Sequence, residues 1–269
     1  MDQQHPILET IEPDALGRVV SRREALHRGV STSTAVVAGL AMASVPVAIA
    51  ALARDVYAQA AAPSIIDVLN FALRLEYLED EFYRTGLAGA VAPTLSPPEL
   101  NAIQQVSKHE TAHVNFLLAV IPSLSGTPVA KPIFDFTAGG LFPDVFSNRV
   151  TFLALAQTFE DTGVRAYKGQ AGNVASNPAV LTAALQIHSV EARHASQIRR
   201  LRGQKGWITG SDIGDLPPQS QPTYAGEENT IQAGADAAPL GAIAAVTEAF
   251  DEPLTMDQVL AIVDPFITG

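Results

Sequence analysis

The chain has 269 residues, 47% of them hydrophobic and 17% charged, with a formal net charge of −11. This is enough apolar material for a sizeable core, and the acidic balance argues against nucleic acid or an anionic membrane surface as a partner, since both demand clustered Lys and Arg. With no cysteine present, disulfides, thiol catalysis, Cys-ligated zinc and iron–sulfur clusters are excluded, and any metal must be held by His and carboxylates.

Residues 1–28 are polar and contain Ser21-Arg22-Arg23-Glu24-Ala25-Leu26. A weakly hydrophobic run, TAVVAGLAMASVPVAIAALA, covers 34–53, and Ala58-Gln59-Ala60 follows. A charged start, an apolar middle and an A-x-A site read as a cleaved secretory signal over 1–60. The paired arginines resemble a twin-arginine export signal, although Ala25 stands where that signal carries an aromatic. At about 20 residues the run is also long enough for a retained membrane anchor; its Ala content and the A-x-A site favour cleavage. Cleavage implies a periplasmic or cell-envelope protein with no membrane segment left.

Four helical segments follow. The first, 64–86, has Ser64 as a cap and Gly86 as a stop. Its inward positions are Ile65, Leu69, Ala72, Glu76, Glu79 and Tyr83. The second, 97–121, opens with Ser96-Pro97-Pro98-Glu99 and ends at Pro122. Its seam is Ile103, Val106, Glu110, His113, Leu117 and Val120. Residues 122–144 are rich in Pro and Gly and predict an ordered crossover pinned by Phe134, Phe136 and Phe142. The third segment, 144–168, has the seam Phe146, Arg149, Leu153, Ala156, Glu160, Gly163 and Tyr167. The fourth, 178–202, has Ile187, Glu191, His194, Ile198 and Leu201, and Gly203 stops it. Residues 203–240 have loop composition, and 240–264 predict one or two short amphipathic helices split near Pro253, the last capped by Thr255. The tail is expected to pack on the outside of the bundle or to form a subunit contact. The predicted fold is therefore all-α: a four-helix bundle over 61–203, a long crossover between helices 2 and 3, and a C-terminal extension over 204–269.

A bundle seam should be apolar, yet each of these four carries an acid. Two add a His three residues on, as in HETAHVNFL (109–117) and HSVEARHASQI (188–198). Residues at i and i+3 share a helix face, so Glu110 with His113 and Glu191 with His194 can reach one ion together. The pattern also repeats: Glu76 precedes Tyr83 by seven residues, as Glu160 precedes Tyr167. Four buried carboxylates with two neutral imidazoles carry a charge that no Lys in the seams offsets, and Arg149 lies far from Glu160. Burying even one unpaired carboxylate costs several kcal/mol, whereas two divalent cations neutralise the set. An oxygen-rich site with two imidazoles suits iron or manganese.

These stretches, with NFALRLEYLEDEFY (70–83), FEDTGVRAYKG (159–169) and the tail AFDEPLTMDQVLAIVDPFI (249–267), resemble the ferritin-like superfamily. More narrowly, they resemble its exported bacterial ferritin-like domain proteins, some described as desiccation-associated. The resemblance implies Glu76, Glu110, His113, Glu160, Glu191 and His194 as ligands to two iron or manganese ions; sequence order suggests Glu110 and Glu160 as the shared carboxylates but leaves open which acids bridge. Glu79 is left as a further ligand, a neighbouring base or a rim residue. Gly163, its counterpart in the repeat, leaves a gap beside Glu160 where a small oxidant could approach. Tyr83 and Tyr167 are expected to touch ligand carboxylates, and His109 and His188 to be hydrogen-bonded core residues. The implied chemistry is oxidase, ferroxidase or peroxide-removing, with dioxygen or peroxide as small-molecule partner and a homo-oligomer as an option. The alternative is a non-enzymatic, stress-protective envelope protein whose metal is structural or absent.

Overall fold

The structure is a computed structural model and describes residues 63–268. The export signal expected over 1–60 lies outside the described residues. Four long helices form the framework: α1 (Ile65–Ala88), α2 (Pro97–Ser123), α3 (Arg149–Gln170) and α4 (Pro178–Leu201). The short connections between α1 and α2 and between α3 and α4 make each pair a hairpin, and the crossover 124–148 joins the two pairs into an all-α four-helix bundle. Two short helices follow, α5 (Ile243–Thr247) and α6 (Met256–Val263), after a two-residue hairpin pairing Ile231 with Asp236. Among the described residues no helix is long and apolar enough to cross a membrane.

Local chemistry sets the helix ends. Ser64 and Asp67 form a reciprocal cap, with Asp67 N–H donating to Ser64 Oγ at 3.1 Å and Ser64 N–H to Asp67 Oδ2 at 3.0 Å. Glu99 accepts from Ser96 N–H at 2.7 Å at the start of α2. Asn148 and Asn177 cap α3 and α4. Three expected boundaries move. Helix α1 continues past Gly86 to Ala88; Gly86 is needed because the Phe152 ring packs where a Cβ would sit. Helix α2 runs one residue past Pro122, because a proline removes only its own N–H, and Leu124 N–H still reaches Val120 O at 3.2 Å. Helix α3 starts at Arg149 rather than 144, since Asn148 caps it and residues 144–147 turn beforehand.

Two apolar clusters fill the bundle. One is aromatic: Phe82 stacks on Phe152 at 4.8 Å and meets Phe159 and Phe136 edge-on at 5.1 and 5.3 Å. The crossover's Phe136 and Phe142 and the tail's Val259, Val263 and Phe266 belong to this cluster. The other holds Leu69, Leu73, Leu117, Ile121, Val180 and Ile187. The chain end is zipped to the crossover, with Asp135 N–H donating to Phe266 O and Thr268 N–H to Ile133 O, both at 2.9 Å.

Helix α3 is buried on nearly every side. Its outward face is a row of polar residues covered by 218–227. Arg165, 1% exposed, pairs with Glu227 at 2.8 Å and donates to the carbonyls of Thr223, Ala225 and Glu252. Asp161 accepts from Arg199 Nη2 and Tyr224 Oη, each at 2.6 Å. Thr158 meets Ser220 at 2.8 Å, and Thr162 meets Thr223 at 3.1 Å. Buried polar groups persist where partners satisfy them, and here the tail supplies the partners.

Candidate metal centre

Halfway along the bundle the seams of all four helices converge. Glu76 on α1, Glu110 on α2, Glu160 on α3 and Glu191 on α4 are each 0% exposed. His113 and His194, one turn beyond Glu110 and Glu191, are also buried. Their donor atoms fall into two groups, each with atoms within 4.8 Å of one another: Glu76, Glu110, His113 and Glu191 in one, and Glu110, Glu160, Glu191 and His194 in the other. All six residues singled out in the sequence thus come together. Glu110 and Glu191 belong to both groups, whereas Glu160 belongs to one. Both shared acids belong to Glu-x-x-His turns, so each faces its own His and also the centre line, whereas Glu76 and Glu160 approach from opposite sides.

The His rings point Nδ1 inward. His113 Nδ1 lies 3.0 Å from Glu110 Oε2, 3.2 Å from Glu76 Oε2 and 3.2 Å from Glu191 Oε1. His194 Nδ1 lies 2.8 Å from Glu110 Oε1 and 3.3 Å from Glu160 Oε2. Yet Glu110 Oε1, Glu160 Oε2, both oxygens of Glu191 and His194 Nδ1 have no hydrogen-bond partner. Close approach without hydrogen-bond alignment, in fully buried groups, is what lone pairs aimed at a common cation produce. The residues present therefore fit a pair of metal ions, with Glu76 and His113 on one side, Glu160 and His194 on the other, and Glu110 and Glu191 between.

The outer oxygens are held. Tyr83 Oη donates to Glu160 Oε1 at 2.5 Å, and Tyr167 Oη donates to Glu76 Oε1. The repeat seen in the sequence is thus reciprocal: each Tyr sits seven residues after one terminal glutamate and binds the other. Burial, and then the neighbouring carboxylates, push both phenols well above their ordinary range, so both stay protonated and donating.

The electrostatics show how ill-suited the cluster is to standing alone. Burial lifts Glu110 to about 7 despite the nearby His rings. Glu191 is pushed well above the usual carboxylate range by burial and then by Glu110. Burial opposes a charge on His194, but Glu160, Glu110 and Glu191 outweigh it and lift the ring to about 11.

Glu79 falls outside both donor groups. Its Oε1 and Glu191 Oε2 lie 3.1 and 3.3 Å from where a Cβ on Gly163 would stand. These carboxylates crowd the Gly163 position, and beside it a cavity of about 10 Å³ remains, lined by Glu79, Phe159, Thr162 and Gly163. Burial, followed by the charges of Glu191, Glu160, Glu110 and Glu76, raises Glu79 well above its ordinary value. Arg149 is no counter-charge to the centre; it binds Glu99 at the end of the bundle through Nε at 2.8 Å. His188 also lies outside the centre and is lowered by burial and then by Lys168. His109 is more than a core residue. Its Nδ1 lies 2.8 Å from His194 Nε2 and its Nε2 lies 2.6 Å from Gln105 Nε2, so it holds the outer edge of the His194 ring. Its position four residues before His113 puts both on one helix face, and that spacing was the signal for its role.

No curated protein matches the chain. Residues 64–204, more than half of the 269-residue chain, match the ferritin-like domain family, and the chain belongs to that family.

Proposed function

We propose that this chain is an exported ferritin-like oxidoreductase that holds two iron or manganese ions and passes their electrons to dioxygen or peroxide. One observation carries the reading: the buried, unpartnered oxygens of Glu110, Glu160 and Glu191 lie beside inward-facing His Nδ1 atoms in two overlapping donor groups. When bound, two divalent iron or manganese ions supply one electron each. Two electrons and two protons convert dioxygen to hydrogen peroxide, or hydrogen peroxide to two waters.

The chain's own residues set the conditions. Glu110 and Glu191 would hold both ions at a fixed spacing, and their charges with those of Glu76 and Glu160 favour the more oxidised metal. Tyr83 and Tyr167 orient Glu160 and Glu76, leaving the second oxygen of each toward the centre. His109 holds His194 from behind. The apolar clusters on either side exclude water and strengthen every charge interaction between them. Export of the protein is supported by Arg22-Arg23, the apolar run over 34–53 and the A-x-A site.

The test is metal content followed by turnover. Native protein should carry about two iron or manganese ions per chain and should consume Fe(II) with dioxygen, or peroxide. Glu110→Ala should abolish both while circular dichroism still reports a helical bundle. A fully loaded wild-type protein that consumes neither oxidant would leave the metal a structural role and sink the oxidoreductase reading.

A further inference from the structure

Within the second apolar cluster, and bordering the first at Phe71 and Leu75, the four helices leave a cavity of about 30 Å³. Leu69 and Ala72 of α1 and Tyr167 of α3 form its inner wall; Phe116 of α2 and Ala184 of α4 lie at its rim. The rim exists because α4 presents Ala183 and Ala184 there, side chains too small to close against α2. The lining is carbon almost throughout. Of its two polar members, Tyr167 turns its Oη to Glu76 and Gln170 has its Oε1 engaged by Asn173 Nδ2 at 2.8 Å.

We propose that this cavity is a docking site for dioxygen, and that it makes dioxygen, rather than hydrogen peroxide, the oxidant reaching the centre from this side. The second clause rests on the di-metal reading above; the first does not. Size limits the occupant. A cavity needs roughly 10–15 Å³ to admit a water-sized molecule, so one or two small molecules fit and an alkyl chain or an aromatic ring does not. Chemistry selects among small molecules. A ligand with hydrogen-bonding groups gives them up on entry and recovers none from these walls, at a cost of roughly 1–3 kcal/mol or more per group. Hydrogen peroxide has two hydroxyls to desolvate; dioxygen has none. Apolar cavities of this kind stay dry and take apolar guests such as xenon. Position gives the site its use. Tyr167 separates the cavity from Glu76, and Ala72 lies one helical turn before Glu76, so a guest rests one side chain away from the donor cluster.

Xenon is the probe for the site, because it reports binding without metal or turnover. Crystals of the native protein under xenon pressure should show the gas against Leu69, Ala72 and Tyr167, and Ala184→Trp, which fills the rim, should lose it. With metal loaded, Ala184→Trp should slow oxidation by dioxygen at least about tenfold and leave the peroxide rate within about twofold. Phe116→Trp at the same rim serves if the first variant melts early. No xenon in the cavity overturns the proposal. So does a variant that slows both oxidants alike, or neither. Xenon bound in a protein that consumes neither oxidant supports the gas site and overturns the oxidoreductase reading, so the two failures are distinguishable.

Discussion

Glu191→Gln should stabilise the metal-free protein and destabilise it relative to wild type once metal is added. Glu191 is 0% exposed, neither carboxylate oxygen has a hydrogen-bond partner, and Glu110, Glu160 and Glu76 all raise its affinity for a proton. An unsatisfied buried polar group costs about 1–3 kcal/mol, and a charged one more. Gln is nearly isosteric and uncharged, and its amide can donate to the carboxylates around it. His113 Nδ1 keeps Glu110 at 3.0 Å and Glu76 at 3.2 Å. The metal-free variant should therefore gain about 1–3 kcal/mol, which at about 2–4 °C per kcal/mol raises its melting temperature by several degrees. Metal reverses the order. At a hundredfold excess over its dissociation constant a ligand adds about 2.7 kcal/mol to the folded state. Wild type receives that gain; the variant, short of an acid that belongs to both donor groups, receives much less. Thermal melts in chelator and in Mn(II) measure all four values. A metal-free variant that melts below wild type, or one that gains as much from Mn(II), refutes the reasoning.

Three further outcomes follow from the same geometry. The metal-free protein should lose stability as pH rises: Glu110, lifted from 4.5 to about 7, and His194, lifted from 6.5 to about 11, hold protons when folded that the unfolded chain releases earlier. Melts in chelator between about pH 5 and 8 should fall steadily, and a rise across that window contradicts the assignment. Gly163→Ala brings a Cβ to 3.3 Å from Glu191 Oε2 and 3.1 Å from Glu79 Oε1; Mn(II) titration should show affinity weakened about tenfold with helicity unchanged. Arg165→Met leaves Glu227 buried without its cation and should cost about 3–5 kcal/mol, read as a lower denaturation midpoint whether or not metal is present.

The bundle was legible because its four seams follow helical spacing, and the acids were legible because they break it. Ser64, Ser96 and Thr255 announced helix starts by side-chain chemistry alone. Which acids join both donor groups was not legible: spacing puts Glu160 and Glu191 each on an inward face, but only the assembled bundle places Glu191 in both. The polar face of α3 was opaque for a related reason. Asp161 and Arg165 look like residues of a solvated surface, and their partners, Arg199, Tyr224 and Glu227, lie 38 to 63 positions away in the chain. Gly163 was legible as space in part: the carboxylates of Glu79 and Glu191 crowd it, and a cavity of about 10 Å³ remains beside it.

The clasp between α3 and residues 218–227 means that the part of the chain able to stand alone is longer than the part the family shares. Helix α3 supplies Glu160 and Tyr167, yet its opposite face finds its partners only after residue 217 has been synthesised. A ribosome that has just released residue 204 has made every candidate ligand and still holds an incomplete protein. A fragment trimmed to the ferritin-like segment would bare Asp161, Thr162 and Arg165 to water along a helix whose other side must stay dry. The tail thus completes the burial of α3, and a chain cut short upstream of it leaves the outward polar face of that helix without Ser220, Thr223, Tyr224 and Glu227.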